Sequence, residues 1–211
     1  MTRHRESVSA LVSRARAHWV LEVADAAFAE QGYHATPMDE IAERAGVSKP
    51  SLYRLFGSKA LLYAACIERA GEELVTRLSE ARSGRSPEDI LSAEIAAYFD
   101  FVAERRDSWR VLQREGQALD GPVADAVSQL RARLISMLAE FLAAQRSASG
   151  LQALPEGTFE RAALAIVGAC ESLAAGRTEH PAVPSGQLAT ELLAIIAPGI
   201  ARLTARQAPG T

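Results

Sequence analysis

One stretch constrains this chain more than any other: residues 32–62, GYHATPMDEIAERAGVSKPSLYRLFGSKALL. It predicts two short helices around a tight turn, with a third helix starting directly after. Thr36 has the side chain of an N-cap, and Pro37 beside it has φ preset for a first helical turn. Asp39 and Glu40 then fall where the helix dipole favours negative charge. Ile41, Ala42 and Ala45 continue an apolar stripe at helical spacing. Gly46 stands where a left-handed residue ends a helix, Val47 is placed to fill the inside of the turn, and Ser48 caps the next helix. There Leu52 and Phe56, four apart, face inward and leave Lys49, Pro50, Ser51, Tyr53 and Arg54 mostly outside. A helix, a glycine-containing turn and a second helix with a polar, basic outer face make the helix-turn-helix plan for the DNA major groove.

The pattern is more specific than that plan. Gly32, Tyr33, Thr36, Ile41, Ala42, Ala45, Gly46, Val47, Ser48, Leu52, Tyr53, Phe56, Ser58 and Lys59 stand at spacings that closely resemble the signature of the tetracycline-repressor (TetR) family. The resemblance covers roughly residues 14–74; the remainder is similar only in length and all-helical pattern. Two departures are visible. Pro50 stands where many members have Gly, and Pro37 replaces a common Ser or Thr, removing one hydroxyl that would reach a phosphate. The resemblance implies an all-α chain: an N-terminal three-helix DNA-binding domain over 14–74, with its helix-turn-helix at about 37–56, and a C-terminal helical ligand-binding and dimerisation domain over 87–206. It also implies that the Tyr53 hydroxyl and the Lys59 ammonium lie on phosphates, with Thr36 and backbone amides at two helix starts. Phosphate at a helix N-terminus follows from the dipole alone.

The predicted helix from Lys49 to Leu55 is barely two turns, short enough to lie in the groove and present its N-terminal residues to base edges. Ser48, Lys49, Pro50, Ser51, Tyr53 and Arg54 are therefore the expected contact set, joined by Thr36 and Lys59. Arg54 suits a bidentate contact with guanine and equally a phosphate; Ser51 and the Pro50 ring can pack on thymine methyls or bases. Phosphate contacts set position and carry little sequence information. The alternatives are a half-buried core aromatic for Tyr53 and a solvated helix end for Lys59. Net charge is -3, which suits a DNA binder poorly until it is divided. The first 60 residues hold eight Lys/Arg against seven Asp/Glu, and the rest 15 against 19, so the acidic excess is C-terminal. Both lysines, Lys49 and Lys59, fall inside the motif, and local charge at the docking face matters more than the total.

Helical spacing runs through nearly the whole chain, with no period-two strand and no internal repeat. A basic arm is expected before Arg14, then a helix to Gln31 that buries Val20, Ala24, Ala27 and Phe28. Ser58 should cap a long helix to about Arg82, and Ser83-Gly84-Arg85-Ser86-Pro87 is the clearest linker. Further helices are expected over about 87–106, from Asp107 or Ser108 to about 119, 121–147, 158–176 and 185–205, with Pro198-Gly199 kinking or interrupting the last. Ala162, Ala163, Ala165, Gly168 and Ala169 make one helix almost smooth, and Leu188, Leu192, Leu193, Ile195 and Ile196 make its successor apolar around most of its girth. That pair fits a two-fold four-helix dimer interface, or else an intramolecular core.

A ligand pocket should combine apolar bulk with a few polar groups between helices; Tyr98, Phe101, Trp109, Leu112, Gln113, Leu138, Phe141, Cys170 and Glu171 are the candidates. Glu171 interrupts an apolar helix and has three readings: a ligand hydrogen bond, an Arg partner across a dimer, or solvent. Cys66 and Cys170 lack metal or disulfide spacing, and each reads as a small buried hydrophobe in a reducing compartment. No GxGxxG, GxSxG, HExxH or P-loop pattern is present, and His4, His18, His34 and His180 form no catalytic set. The expectation is a non-enzymatic, cytoplasmic regulator with no cofactor, metal or membrane segment. Its partners would be a palindromic operator in double-stranded DNA, a second copy of the chain and a small-molecule effector. Repression relieved by ligand is the usual mode of the family. An enzyme is the competing class, and a third is an architectural or purely protein-binding module without operator specificity, separated by weak, strongly salt-dependent binding to any sequence.

Overall fold

The computed structural model describes residues 8–109, 121–179 and 183–204. Two compact units divide it: one takes the chain up to Ala70 with Asp107–Val127, the other Gly71–Arg106 and the chain from Ser128 onward. All regular structure among the described residues is helical, and no described helix is long and apolar enough to cross a membrane.

In the first unit, α1 (Val8–Gln31) turns Val20, Ala24, Ala27 and Phe28 to one side, where all four are buried. It begins ahead of the expected Arg14, since residues 8–13 contain neither Gly nor Pro to stop a helix. Gly32 ends it at φ 88°, donating its N–H to the Phe28 carbonyl at 2.8 Å. α2 (Met38–Ala45) differs from expectation at its start. Pro37, in extended conformation, takes the cap position with no side-chain cap bond, while Thr36 is buried and its hydroxyl turns back to the carbonyls of Gly32 at 2.7 Å and Ala27 at 3.2 Å.

The end of α2 is the turn that the motif needs. Gly46 sits at φ 66° and donates to the Glu43 carbonyl, and Val47 donates to the Ala42 carbonyl at 2.9 Å. These paired bonds satisfy the last carbonyls of the helix and reverse the chain in two residues. α3 (Lys49–Phe56) follows at once, its first turn capped by the Ser48 hydroxyl, which accepts from the Ser51 N–H at 3.3 Å. Ser58 caps α4 (Lys59–Arg82) in the same way through the Leu61 N–H at 3.1 Å. Ile41, Leu52 and Leu62 are completely buried against α1, and Phe28 stacks edge-on with Tyr63 at 4.8 Å. Val123 and Ala126 also belong to this core.

In the second unit, Ser86 caps α5 (Pro87–Glu104), which packs on α7 (Thr158–Glu179) and α8 (Ser185–Thr204), themselves in contact; α6 (Pro122–Ala148) belongs to this unit from Ser128 onward. Leu74, Phe99, Leu142, Ala163 and Ala174 are buried there almost completely. Pro198 does not interrupt α8. It and Ala194, four residues earlier, lie on the exposed side of the helix.

Gly46→Ala should destabilise the protein by about 1–2 kcal/mol, because its backbone is left-handed although the space around it is open. A thermal melt checks this; an unchanged Tm would mean that the turn relaxes to another geometry.

Candidate nucleic-acid interface and ligand cavities

The outer face of α3 carries Lys49, Pro50, Tyr53 and Arg54, all exposed, with Ser51 half-buried beside them. Tyr53 is 41% exposed, so it is not a core aromatic. A chain of polar contacts orders this face. The Ser48 hydroxyl donates to Ser51 Oγ at 2.9 Å, and Arg54 Nη2 donates to the same oxygen at 3.1 Å. One of Arg54's five donors is thereby spent, and the guanidinium is drawn toward the N-terminal end of α3, the end that enters a groove first.

Each lysine of the motif is held by the protein. Lys59 donates to the His34 carbonyl at 3.1 Å and lies 4.7 Å from the centre of the Tyr33 ring, which fixes its ammonium beside the start of α4. Lys49 pairs with Asp39 of α2 at 2.7 Å, and that carboxylate keeps the ammonium above its ordinary pKa. Asp39 was expected only as a helix-start acid, and its second role as a neutralising partner requires the α2–α3 geometry. Thr36 is the one member of the expected contact set that the structure removes. Its hydroxyl is buried and bonded inward, so it cannot reach a phosphate. The frame around the face is braced by Arg44, which bridges Glu30 at 2.9 Å and Glu40 at 3.3 Å, and by Trp19 Nε1, which donates to the terminal carbonyl of Ala45 at 3.1 Å. The sequence pattern did not single out either brace.

Two cavities lie among the described residues of the second unit. The inner one, about 70 Å³, is lined by Leu78, Arg82, Leu91, Glu94, Ile95, Tyr98, Leu134, Met137, Leu138, Ile166, Val167 and Cys170. The outer one, about 530 Å³, lies among Leu91, Phe141, Leu142, Gln145, Ser149, Leu193, Ala197, Ile200, Ala201 and Thr204. Of the expected pocket residues, Tyr98, Leu138 and Cys170 line the inner cavity and Phe141 the outer one. Phe101 lines neither: it is buried with the guanidinium carbons of Arg77 and Arg105 at 5.4 and 5.3 Å from its ring centre. Trp109 lines neither and groups with the first unit. Leu112 and Gln113 lie outside the described residues. Glu171 pairs with Arg131 of α6 at 3.1 Å, within its own chain.

The chemistry inside the inner cavity comes from residues that the sequence did not flag. Glu94 is buried within α5 and bonded to Arg82, the last residue of α4. Burial pushes the Glu94 carboxyl up, and the Arg82 guanidinium opposes that rise. Arg82 also reaches the Met137 carbonyl at 3.5 Å and lies 5.4 Å from the centre of the Phe141 ring. The Cys170 thiol is pushed up to about 12, chiefly by burial, so it is a small hydrophobe and not a nucleophile. Among the described residues no group of His, Cys, Asp and Glu could hold a metal ion.

Two family descriptions match this chain: "Bacterial regulatory proteins, tetR family" over residues 20–66, and "Tetracyclin repressor-like, C-terminal domain" over residues 87–199. The chain belongs to the TetR family. Among curated relatives, the transcriptional activator FasR of Mycolicibacterium smegmatis is 38% identical over 109 residues, 51% of this chain and 50% of its own. The regulator YerO of Bacillus subtilis is 35% identical over 83 residues, 38% of this chain and 29% of its own. The matches thus span half or less of these relatives' lengths. A solved TetR-like regulator from Rhodococcus sp. RHA1 is 35% identical with a TM-score of 0.65, covering 88% of this chain and 96% of its own. FadR of Bacillus subtilis, solved with stearoyl-CoA, shares the fold at a TM-score of 0.75 and 17% identity, covering 86% of this chain and 98% of its own. The family and these relatives are transcriptional regulators, not enzymes.

Because Asp39 neutralises Lys49, Asp39→Asn should strengthen binding to any DNA duplex and steepen its salt dependence by roughly one counterion. A salt titration of a non-operator duplex measures this. An unchanged slope would place Lys49 away from the phosphates.

Proposed function

We propose that this TetR-family protein is a homodimeric, sequence-specific transcriptional regulator that reads a palindromic operator and is controlled by a small molecule. Residues 14–74 would read DNA, and residues 87–206 would bind the effector and dimerise. The observation that carries the DNA-binding part is the Ser48–Ser51–Arg54 chain on the exposed face of α3, which orients a guanidinium toward the groove-entering end of the helix. Lys59, Tyr53 and the amides at the start of α4 supply phosphate contacts, and Arg54 supplies base reading. Arg54→Ala should cost about 1–3 kcal/mol at one base-pair position and leave the others unchanged. Selection of operators by the variant tests it; an unaltered preferred base would assign Arg54 to a phosphate.

The dimer reading is supported by side chains that the second unit leaves in water. Leu164 and Leu173 on α7 are 46% and 36% exposed, and Ile195 on α8 is 77% exposed, with Ala165 and Ala194 exposed between them. Burying such side chains is worth about 1.5–3 kcal/mol each, and a two-fold axis covers each of them twice. Of the small residues expected on this face, Ala163 is instead completely buried, and a Cβ on Gly168 would face Arg131 at 3.9 Å. Leu164 and Ile195 are therefore the positions that test dimerisation. Ile195→Asp with Leu164→Asp should give monomers that bind an operator weakly; light scattering showing wild-type monomers at micromolar concentration would overturn the reading. Half-sites should lie about one helical turn apart, roughly 34–36 Å, or a multiple of it.

Ligand-relieved repression is the reading for the direction of control. The name of FasR, a transcriptional activator, favours the alternative that operator binding recruits transcription. A reporter behind the operator separates them by the sign of its change on deletion of the gene. In both cases α4 is the coupling element, since it begins beside Lys59 and ends at Arg82 in the wall of the inner cavity. A coupling of about 1–3 kcal/mol would change operator affinity roughly 5–150-fold, and operator would weaken effector binding by the same factor. Calorimetry with and without operator reads it directly.

A further inference from the structure

The two cavities of the second unit share one wall. Leu91 of α5 lines both. Beside it, Arg82 of the inner cavity lies on the ring of Phe141 of the outer one. A third element connects them as well. α6 presents Leu134, Met137 and Leu138 to the inner cavity and Phe141, Leu142 and Gln145 to the outer one in unbroken helical sequence, with Ser149 in the turn just past its end. From Leu134 to Ser149 that stripe is about 22 Å long at the rise of an α-helix.

Size argues that the two spaces work together. At about 70 Å³ the inner cavity is below the size of an engineered apolar cavity that holds benzene, roughly 150 Å³. The outer cavity, at about 530 Å³, is ligand-sized. Leu91 faces unfilled space on two sides, so it forfeits dispersion contacts that a buried leucine normally makes, and turning it aside sacrifices little. With Leu91 turned aside, the two spaces form one narrow slot.

The lining sets the chemistry of what would fill it. Beyond Leu91 the walls are Ile95, Leu134, Leu138, Ile166, Val167 and Cys170, and the one ion pair there, Arg82 with Glu94, is already made. At the other end the polar groups are the neutral Gln145, Ser149 and Thr204. The nearby cation Arg146 is engaged by the carbonyls of Gln152 and of Leu203, at 2.5 and 2.7 Å. We propose that the two cavities are one effector site, divided at Leu91, for a single unbranched aliphatic chain whose polar end is uncharged where it meets Gln145, Ser149 and Thr204. The inference rests on the regulatory reading above and names the class of effector that reading leaves open.

The test is a ruler of straight-chain primary alcohols, from six to fourteen carbons, titrated against the full-length protein by calorimetry, with operator binding measured in parallel. In the wild type, affinity should rise about fourfold per added methylene and level off only when the chain reaches the wall at Cys170. Leu91→Trp should close the passage and move the levelling point to a shorter alcohol, and Cys170→Phe should shorten it by less. Leu91→Met keeps a flexible gate and should keep the wild-type ruler, which preserves the test if the larger substitution fails to fold. The carboxylate matching the best alcohol should bind more weakly; tighter binding would overturn the uncharged end. A wild-type ruler that levels at the same length as Leu91→Trp would overturn the joined site. So would the absence of binding by every alcohol with operator binding intact. Failure of the wild type to prefer any operator counts against the regulatory reading, and the alcohol ruler still decides the site.

Discussion

Everything that α3 can show to a partner is set by what its other side buries. Leu52 is completely enclosed with Ile41, Leu62 and Phe28, and a helix of barely two turns has no other large anchor of that depth. Alone, eight residues would not hold a helix in water. The tertiary contact at Leu52, the Gly46–Val47 turn before it and the Ser48 cap together fix its rotation about its own axis. That rotation places Lys49, Tyr53 and Arg54 outward as a set. A base-reading face demands this, because a shift of one residue in an α-helix turns a side chain by about 100°.

The electrostatics of that face are a matter of placement, not of excess charge. The chain carries a net charge of -3, and one of its two lysines is neutralised by Asp39. What remains is a few cations held in defined positions: Lys59 on a carbonyl and an aromatic ring, Arg54 on a serine. Sequence-independent attraction grows with each phosphate neutralised, so few free cations keep it small. The Asp39–Lys49 pair is solvent-exposed and adds little to folding stability.

Legibility in the sequence followed the range of the interactions. The turn at Gly46, the caps at Ser48 and Ser58 and the buried stripe Val20, Ala24, Ala27 and Phe28 were readable because each depends on residues within one or two turns. Thr36 shows where this fails: a residue with cap chemistry is pulled inward when two carbonyls of a neighbouring helix end lie within reach. The cavities were only partly readable for the same reason. Aromatic and apolar residues at helical spacing look alike whether they fill a core, as Phe101 does between two arginines, or line a void, as Tyr98 does. Arg82 and Glu94 were missed because an arginine at a helix end and a glutamate in an amphipathic helix normally reach water.

The division at Leu91 bears on how binding can become control. The inner cavity includes Leu78 and Arg82 of α4, whereas no residue of α4 lines the outer one. A small occupant of the outer cavity would touch α5, α6 and α8 only, and could bind tightly without preferring one position of α4 over another. A ligand with equal affinity for two states shifts nothing, however tightly it binds. An occupant that passes Leu91 meets the end of α4 directly, beside the Arg82–Glu94 pair. Affinity from the outer cavity and selectivity between states from the inner one would then be supplied by different parts of one molecule. Effector strength in such a site should follow how far an occupant reaches beyond Leu91, not how tightly it binds.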